Sequence, residues 1–264
     1  MFKTRLLSGI VLVVLALVTI MLGGWVLLVT LAALSLAGMQ ELYKAMGIHT
    51  GEFNFLEYAG YACAVLYYIA AYNSFERLGA PFMILSLIIL MGVYVFCYPV
   101  FEAEQVMVTY FGLIYVAVML SFLMLSRSLP GGSKIVWLTF FSAWGCDTCA
   151  YCAGMLFGKH KMAPVLSPKK SMEGAVGGVV GSALLGIIYG LIVGGKPFEY
   201  ALICLFGALL SMVGDLAASA IKRNRGIKDY GTLIPGHGGI LDRFDSIIFT
   251  APVIYFLAKL LLTL

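Results

Sequence analysis

Long apolar runs separated by short polar stretches make up most of this 264-residue chain. A helix that crosses a bilayer needs about 20 predominantly apolar residues, and nine runs approach or exceed that length. The second and third runs are the shortest of the nine. The pattern therefore predicts nine transmembrane helices, at Leu6–Leu22, Trp25–Gly38, Tyr58–Tyr72, Pro81–Tyr98, Val106–Ser126, Ile135–Phe157, Gly174–Val193, Phe198–Ile221 and Ile247–Leu264.

The composition agrees with a membrane protein, because 62% of the residues are hydrophobic and only 11% are charged. Soluble domains carry about 25% charged residues, so a water-soluble fold would have too few polar groups to cover its surface. Since no linker divides the chain, we predict one all-α, multi-pass, membrane-embedded domain over residues 1–264. Residues 1–130 would supply the N-terminal transmembrane helices, and residues 131–264 the helices and cytoplasmic loops that carry the candidate chemistry.

The basic residues predict the orientation of the helices, since cytoplasmic segments carry an excess of Lys and Arg. With the N-terminus in the cytoplasm, twelve of the 17 Lys and Arg fall in cytoplasmic segments and four on the opposite side. The seventeenth, Lys259, lies within the last predicted span. We therefore expect a cytoplasmic N-terminus, with two strongly polar cytoplasmic loops at Gly158–Gly174 and Lys222–Ser246.

Two of the five Asp residues, Asp147 and Asp215, lie inside apolar runs. A carboxylate in the hydrocarbon region costs at least about 2.5–3.5 kcal/mol and usually faces a polar cavity. The alternative is a polar contact between helices or a carboxylate that reaches the interface. Four side chains share one stripe of a helix by their spacing, namely Ser211, Asp215, Ser219 and Lys222. This stripe favours a polar cavity that opens to the cytoplasm.

A second acidic pair, Asp242 and Asp245, opens the last apolar run in the sequence DRFD. On a helix the i, i+3 spacing places both carboxylates on one face, and a divalent cation such as Mg²⁺ takes oxygen ligands. The alternative is that the acids only complement the positive N-terminal end of the helix dipole. The pair alone does not decide between these interpretations.

The sequence IPGHGGI precedes this pair and contains Gly236, Gly238 and Gly239. Glycine-rich turns present backbone N–H groups that bind anions. His237 would donate to a phosphate, act as a base or cap the turn. The basic loops would by themselves suit anionic lipid head groups. Acids, glycines and basic residues on one side are together satisfied by phosphate groups and a metal ion.

The segment Ser219–Asp245 resembles the signature of phosphatidate cytidylyltransferases, also called CDP-diacylglycerol synthases. It contains S-x-x-K-R, four further residues, K-D, PGHGG and D-R-x-D at the spacing of that family. Two upstream blocks, Asp147–Gly154 and Leu166–Gly174, are similar to further blocks of the family. The resemblance extends from about Trp137 to the end of the chain.

The resemblance implies that CTP and phosphatidate react to give CDP-diacylglycerol and pyrophosphate at the cytoplasmic interface. It also implies Mg²⁺, with one or two cations per site, and a homodimer in contact with membrane lipids, without a nucleic-acid partner. In a bacterium the location would be the inner (plasma) membrane. The metal ligands would be Asp147, Asp215, Asp242 and Asp245.

We assign the remaining roles, as hypotheses that fit this reaction, to Ser219 and to residues of the two polar loops. The other catalytic residues would be Lys222, Arg223, Lys228 and His237. The substrate-binding residues would be Ser167, Lys169, Lys170, Ser171, Ser219, Gly236, Gly238, Gly239 and Arg243.

Two other functions are alternatives to a cytidylyltransferase. One is an ion-coupled transporter, which also uses acids within the membrane, and the other is another lipid enzyme that uses CTP or a CDP derivative.

Overall fold

The structure is a computed structural model that describes residues 2–49, 53–234, 236 and 238–262, with side chains in the first helix at residues 9, 11 and from 13 onward. It is almost entirely helical. The α-helices are α1 Phe2–Leu22, α2 Gly24–Met46, α3 Phe55–Phe96, α4 Ala103–Gly112, α5 Met119–Ser128, α6 Gly132–Phe140, α7 Cys146–Phe157, α8 Met172–Ile192, α9 Pro197–Asn224 and α10 Leu241–Leu262. Two strands, β1 Lys161–Ala163 and β2 Ser167–Ser171, pair antiparallel.

The prediction of an all-α, multi-pass membrane protein is confirmed, but the count of nine spans is not. Within the described part of the chain, six helical segments are long and apolar enough to cross a membrane. They are Gly24–Met46, Phe55–Phe96, Ala103–Ser128, Met172–Ile192, Pro197–Asn224 and Leu241–Leu262.

The difference has a local cause in two places. The predicted spans Tyr58–Tyr72 and Pro81–Tyr98 lie almost entirely in α3, whose 42 residues form two helices that meet at a kink at Ser74 and that count together as one of the six segments. The predicted span Ile135–Phe157 consists of α6, a π-helical turn at Phe141–Gly145 and α7. A second π-helical turn, Leu113–Val118, joins α4 to α5.

The chain divides into two compact units, of which the first comprises Met1–Leu125 and Ile227–Arg243. Tyr43 of α2 is fully buried at its centre, and its hydroxyl donates to the Thr109 carbonyl over 2.8 Å. Gly60 and Gly112 border the same ring, where an added Cβ would lie 2.9 Å and 2.5 Å from Tyr43 atoms. Because Gly60 and Gly112 have no side chains, α3 and α4 leave room for the buried ring of Tyr43.

The second unit comprises Ser126–Gly226 and Phe244–Leu264. Helix α8 packs against both α7 and α9 through glycines: a Cβ at Gly177 would lie 2.2 Å from the Ala153 Cβ, and one at Gly186 2.7 Å from the Tyr200 carbonyl. Small residues allow helices to approach closely in a membrane, where dispersion contacts drive association. The single domain predicted over residues 1–264 stays a prediction.

Replacement of Gly177 by Ala is expected to destabilise the second unit, because the new methyl group would overlap Ala153 and force α7 away from α8. Overpacking of this kind costs about 1–3 kcal/mol. The matched control is Gly92→Ala, since a Cβ at Gly92 in α3 meets no atom within 4 Å. Thermal unfolding in one detergent should place Gly177→Ala below the wild type and Gly92→Ala at or above it. Equal midpoints for both variants would contradict this packing.

Candidate functional site

A cavity of about 460 Å³ lies within the second unit. Five of its lining residues were singled out from the sequence: Asp147, Lys169, Lys170, Ser171 and Asp215. The rest of the lining is mainly apolar and includes Met155, Met162 and Met212. The structure therefore places acids from two helices and lysines from β2 around one space that also has an apolar wall.

Lys170 and Asp215, which both line this cavity, form an ion pair between the Lys170 Nζ and the Asp215 Oδ2. Both side chains are only about a quarter exposed, at 27% and 25%. The Ser219 hydroxyl donates to the Asp215 Oδ1 over 3.4 Å. Sequence reasoning assigned Lys170 to a phosphate and Asp215 to a metal, and it did not anticipate that the two side chains pair with each other.

A β-hairpin carries both cavity lysines, and α8 holds the hairpin in place. The Ser171 hydroxyl accepts the Gly174 N–H over 3.1 Å and caps α8. The carboxylate of Glu173 accepts the N–H groups of Lys159 and His160 over 3.1 and 3.2 Å, and it contacts the His160 Nδ1 over 2.6 Å. Sequence reasoning overlooked Glu173, although an acid two residues after a capping serine is a recognisable signal of a helix start.

A third acid, Asp245, lies on α10 where α9 approaches this helix closely. An added Cβ at Gly214 would lie 2.8 Å from the Asp245 carbonyl oxygen and 2.9 Å from the Phe249 Cβ. Asp245 interacts electrostatically with Asp215, Lys222 and Asp147. Its Oδ1 accepts the backbone N–H of the next residue, Ser246, over 2.7 Å. Three acids that are far apart in sequence thus influence one another within the second unit.

Two buried hydroxyl groups belong to the same helices as these acids. Ser211 lies one turn before Asp215, and Ser246 directly follows Asp245. Their exposed fractions are 0% and 2%, and neither hydroxyl has a hydrogen-bond partner among the described residues. Oxygen atoms from carboxylates and hydroxyl groups are the donors that Mg²⁺ prefers. The donor chemistry of α9 and α10 therefore fits a hard divalent cation.

The described residues contain no cluster of three or more His, Cys, Asp or Glu side chains arranged to hold a metal ion by themselves. Mg²⁺ does not require such a cluster, since it usually keeps several waters and binds one or two carboxylates together with substrate phosphates. Asp215 and Asp245 would supply two carboxylates to such a site, and a substrate phosphate would have to complete it.

The glycine-rich loop, which is the segment between α9 and α10, lies in the first unit from Ile227 onward and is organised by Asp242. The Asp242 Oδ2 accepts the amides of Tyr230 and Gly239 over 2.8 and 3.0 Å. Gly236 and Gly238 have φ angles of +79° and +87°, which only glycine adopts readily. His237 lies outside the described residues. The loop therefore has a defined turn, and one carboxylate oxygen of Asp242 serves two of its amides.

The remaining predicted residues lie near the ends of their elements. Lys222 and Arg223 occupy the last turn of α9, where the helix dipole favours positive charge. Lys228 is exposed, whereas Arg243 is partly buried in the first turn of α10. Ser167 begins β2. Their assigned contacts with substrate stay predictions.

Comparison with known proteins gives concordant matches. A family model described as the cytidylyltransferase family matches residues 3–261. The chain is 33% identical to the phosphatidate cytidylyltransferase of Staphylococcus epidermidis over 258 residues, which are 96% of this chain and 97% of that protein. Identity is 46% over 120 residues with the Bacillus subtilis protein of that name and 42% over 138 residues with the Synechocystis one. These two alignments cover 44% and 47% of the relatives' lengths.

Replacement of Glu173 by Ala is expected to release the hairpin from α8, because three hydrogen bonds to Lys159 and His160 are lost. Trypsin should then cleave after Lys159 or Lys161 roughly fivefold faster, since each exposed hydrogen bond contributes modestly. Glu199→Ala is the matched control, because Glu199 is the first-turn acid of α9. Limited proteolysis followed by mass spectrometry measures these rates. Equal cleavage of both variants would contradict the role of Glu173.

Proposed function

The chain belongs to the cytidylyltransferase family, and we propose that it transfers the cytidylyl group of CTP to phosphatidate. The products are CDP-diacylglycerol and pyrophosphate. The observation that carries the proposal is the cavity of the second unit, where Lys169 and Lys170 meet Asp147 and Asp215 beside an apolar wall. Positive charge suits a phosphate, the acids suit a cation, and the methionines suit the hydrocarbon part of a lipid.

The reaction forms one bond and breaks one bond at the α-phosphorus of CTP. A phosphate oxygen of phosphatidate attacks this phosphorus, and the bond to the oxygen that bridges to the β-phosphate breaks, so that pyrophosphate leaves with the electron pair. The attacking phosphate needs no strong general base, because phosphate monoesters have a second pKa of about 6 and are largely ionised at neutral pH. The protein's task is to bring two anions together and to stabilise the leaving group.

The cationic side chains divide this task between two places in the second unit. Lys169 and Lys170 of β2 border the cavity and would hold the oxygens of one phosphate group. Lys170 would exchange its contact with Asp215 for a substrate oxygen, since an ammonium group can rotate among acceptors. Lys222 and Arg223, at the end of α9, would hold a second phosphate group, with Arg as the bidentate partner.

The acids would hold Mg²⁺ in this scheme, as one ion or as two. We assign Asp215 and Asp245 as its principal ligands, with Asp147 contributing directly or through water. When bound, the cation neutralises phosphate charge and stabilises the departing pyrophosphate. Asp242 also remains a proposed ligand, although its Oδ2 already accepts two loop amides. We further propose a cytoplasmic N-terminus, membrane lipids as partners and a homodimer.

A direct test uses the purified protein, phosphatidate in mixed micelles, and each of the four nucleoside triphosphates with and without a chelator. We expect only CTP to give the activated lipid, because the chain belongs to the cytidylyltransferase family, and only with a divalent cation, because the nucleotide phosphates would complete the metal site. Labelled nucleotide recovered in the lipid phase measures the product. Activity that survives the chelator would contradict the metal sites, and cation flux in liposomes without CTP would favour a transporter.

Asp215→Asn and Asp245→Asn are each expected to lower kcat by roughly 100-fold or more, the size of loss seen when a group that stabilises transition-state charge is removed. Glu199→Gln is the control, because this acid begins α9 far along the same helix from Asp215. Thermal unfolding checks that all three variants remain folded. Near-normal turnover in Asp215→Asn, with the control intact, would remove this residue from the site.

A further inference from the structure

Glu41 of α2 makes two hydrogen bonds to a segment about 200 residues away in sequence. Its Oε1 accepts the Ile240 N–H and its Oε2 accepts the Leu241 N–H, both over 2.9 Å. All three residues belong to the first unit. The two amides lie at the start of α10, where backbone N–H groups have no acceptor within the helix. A carboxylate in this place also complements the positive end of the helix dipole.

The glycine-rich loop folds closely around this carboxylate. An added Cβ would lie 2.5 Å from the Glu41 Oε1 at Gly231 and 2.4 Å from the Oε2 at Gly239. A side chain at either position would push the Glu41 carboxylate away from the Ile240 and Leu241 amides, so glycine at both positions preserves these hydrogen bonds. The contact with Glu41 therefore explains why glycine occupies positions 231 and 239, whether or not the loop binds a substrate.

Glu41 and Asp242 together hold four amides of the same segment. Asp242 accepts those of Tyr230 and Gly239, and Glu41 accepts those of Ile240 and Leu241. The two acids interact electrostatically with each other, and such like charges are stable together only when donors surround them. The four N–H groups supply those donors. Hydrogen bonds to charged acceptors are stronger than neutral ones, so this pair fixes the loop firmly.

We propose that Glu41 is a positioning residue for the glycine-rich loop, which it holds in the conformation that binds the nucleotide phosphates. Glu41 acts through the backbone at Ile240 and Leu241, and its own carboxylate, which would repel phosphate, is kept occupied by amides. The inference rests on the proposed function, because it takes the loop glycines Gly236, Gly238 and Gly239, which the sequence predicts to bind substrate, as ligands of the CTP phosphates. Glu41 lies on α2, outside the Ser219–Asp245 segment.

The test compares Glu41→Ala and Glu41→Gln with Gln40→Ala, whose side chain is the exposed neighbour on α2. We expect the KM for CTP to rise at least tenfold in Glu41→Ala with a smaller change in kcat. Glu41→Gln should fall between, because the amide retains one acceptor oxygen of the two. A variant that is merely less stable would lower the active fraction and leave the KM for CTP unchanged.

A second readout is independent of activity. Hydrogen–deuterium exchange in detergent should be faster for peptides spanning residues 228–241 in Glu41→Ala, and unchanged for peptides spanning 172–192. An unchanged KM together with unchanged exchange at 228–241 would overturn the proposal, as would faster exchange throughout the chain in Glu41→Gln. If the wild type did not use CTP, the proposed function would fail, while the exchange result would still show whether Glu41 holds the loop.

Discussion

A carboxylate in a membrane-spanning helix needs a cation or hydrogen-bond donors, because the hydrocarbon region supplies neither. This requirement organises the polar parts of both units. Asp215 is paired with Lys170 and receives the Ser219 hydroxyl. Glu41 and Asp242 are surrounded by backbone amides. The partners of these acids differ in mobility. The Lys170 ammonium group at Asp215 can move to a substrate, whereas the backbone amides at Glu41 and Asp242 cannot.

That difference separates two roles within the proposed enzyme. In the mechanism that we propose, an incoming phosphate and a divalent cation would open the Lys170–Asp215 pair of the second unit, so this pair suits the reacting groups. The amide-bound acids of the first unit are fixed, and they suit a loop whose shape must be preserved. Close glycine contacts between α7 and α8 support the cavity, because they bring Asp147 and the start of α8 to the same space.

Features encoded locally could be predicted from the sequence. The apolar runs predicted the helices. Asp147 and Asp215, which lie within apolar runs, predicted a polar cavity, and both residues line the cavity of the second unit. Features that depend on distant contacts could not be predicted. Glu41 meets its partners some 200 residues away, and its sequence surroundings are ordinary. The kink at Ser74, where the two helices of α3 meet, could not be located from the sequence, and Lys170 carried no local sign that it would pair with Asp215.

The central claim is that Asp215 and Asp245, brought together by the contact of α9 with α10 at Gly214, hold the divalent cation that accompanies CTP. An anomalous-diffraction map of crystals grown with Mn²⁺ and CTP tests this claim most directly. The account predicts a peak at metal–oxygen bonding distance, about 2.1 Å, from a carboxylate oxygen of each residue, with Lys170 turned to a phosphate. A Mn²⁺ peak elsewhere, with Lys170 still paired to Asp215, would contradict it.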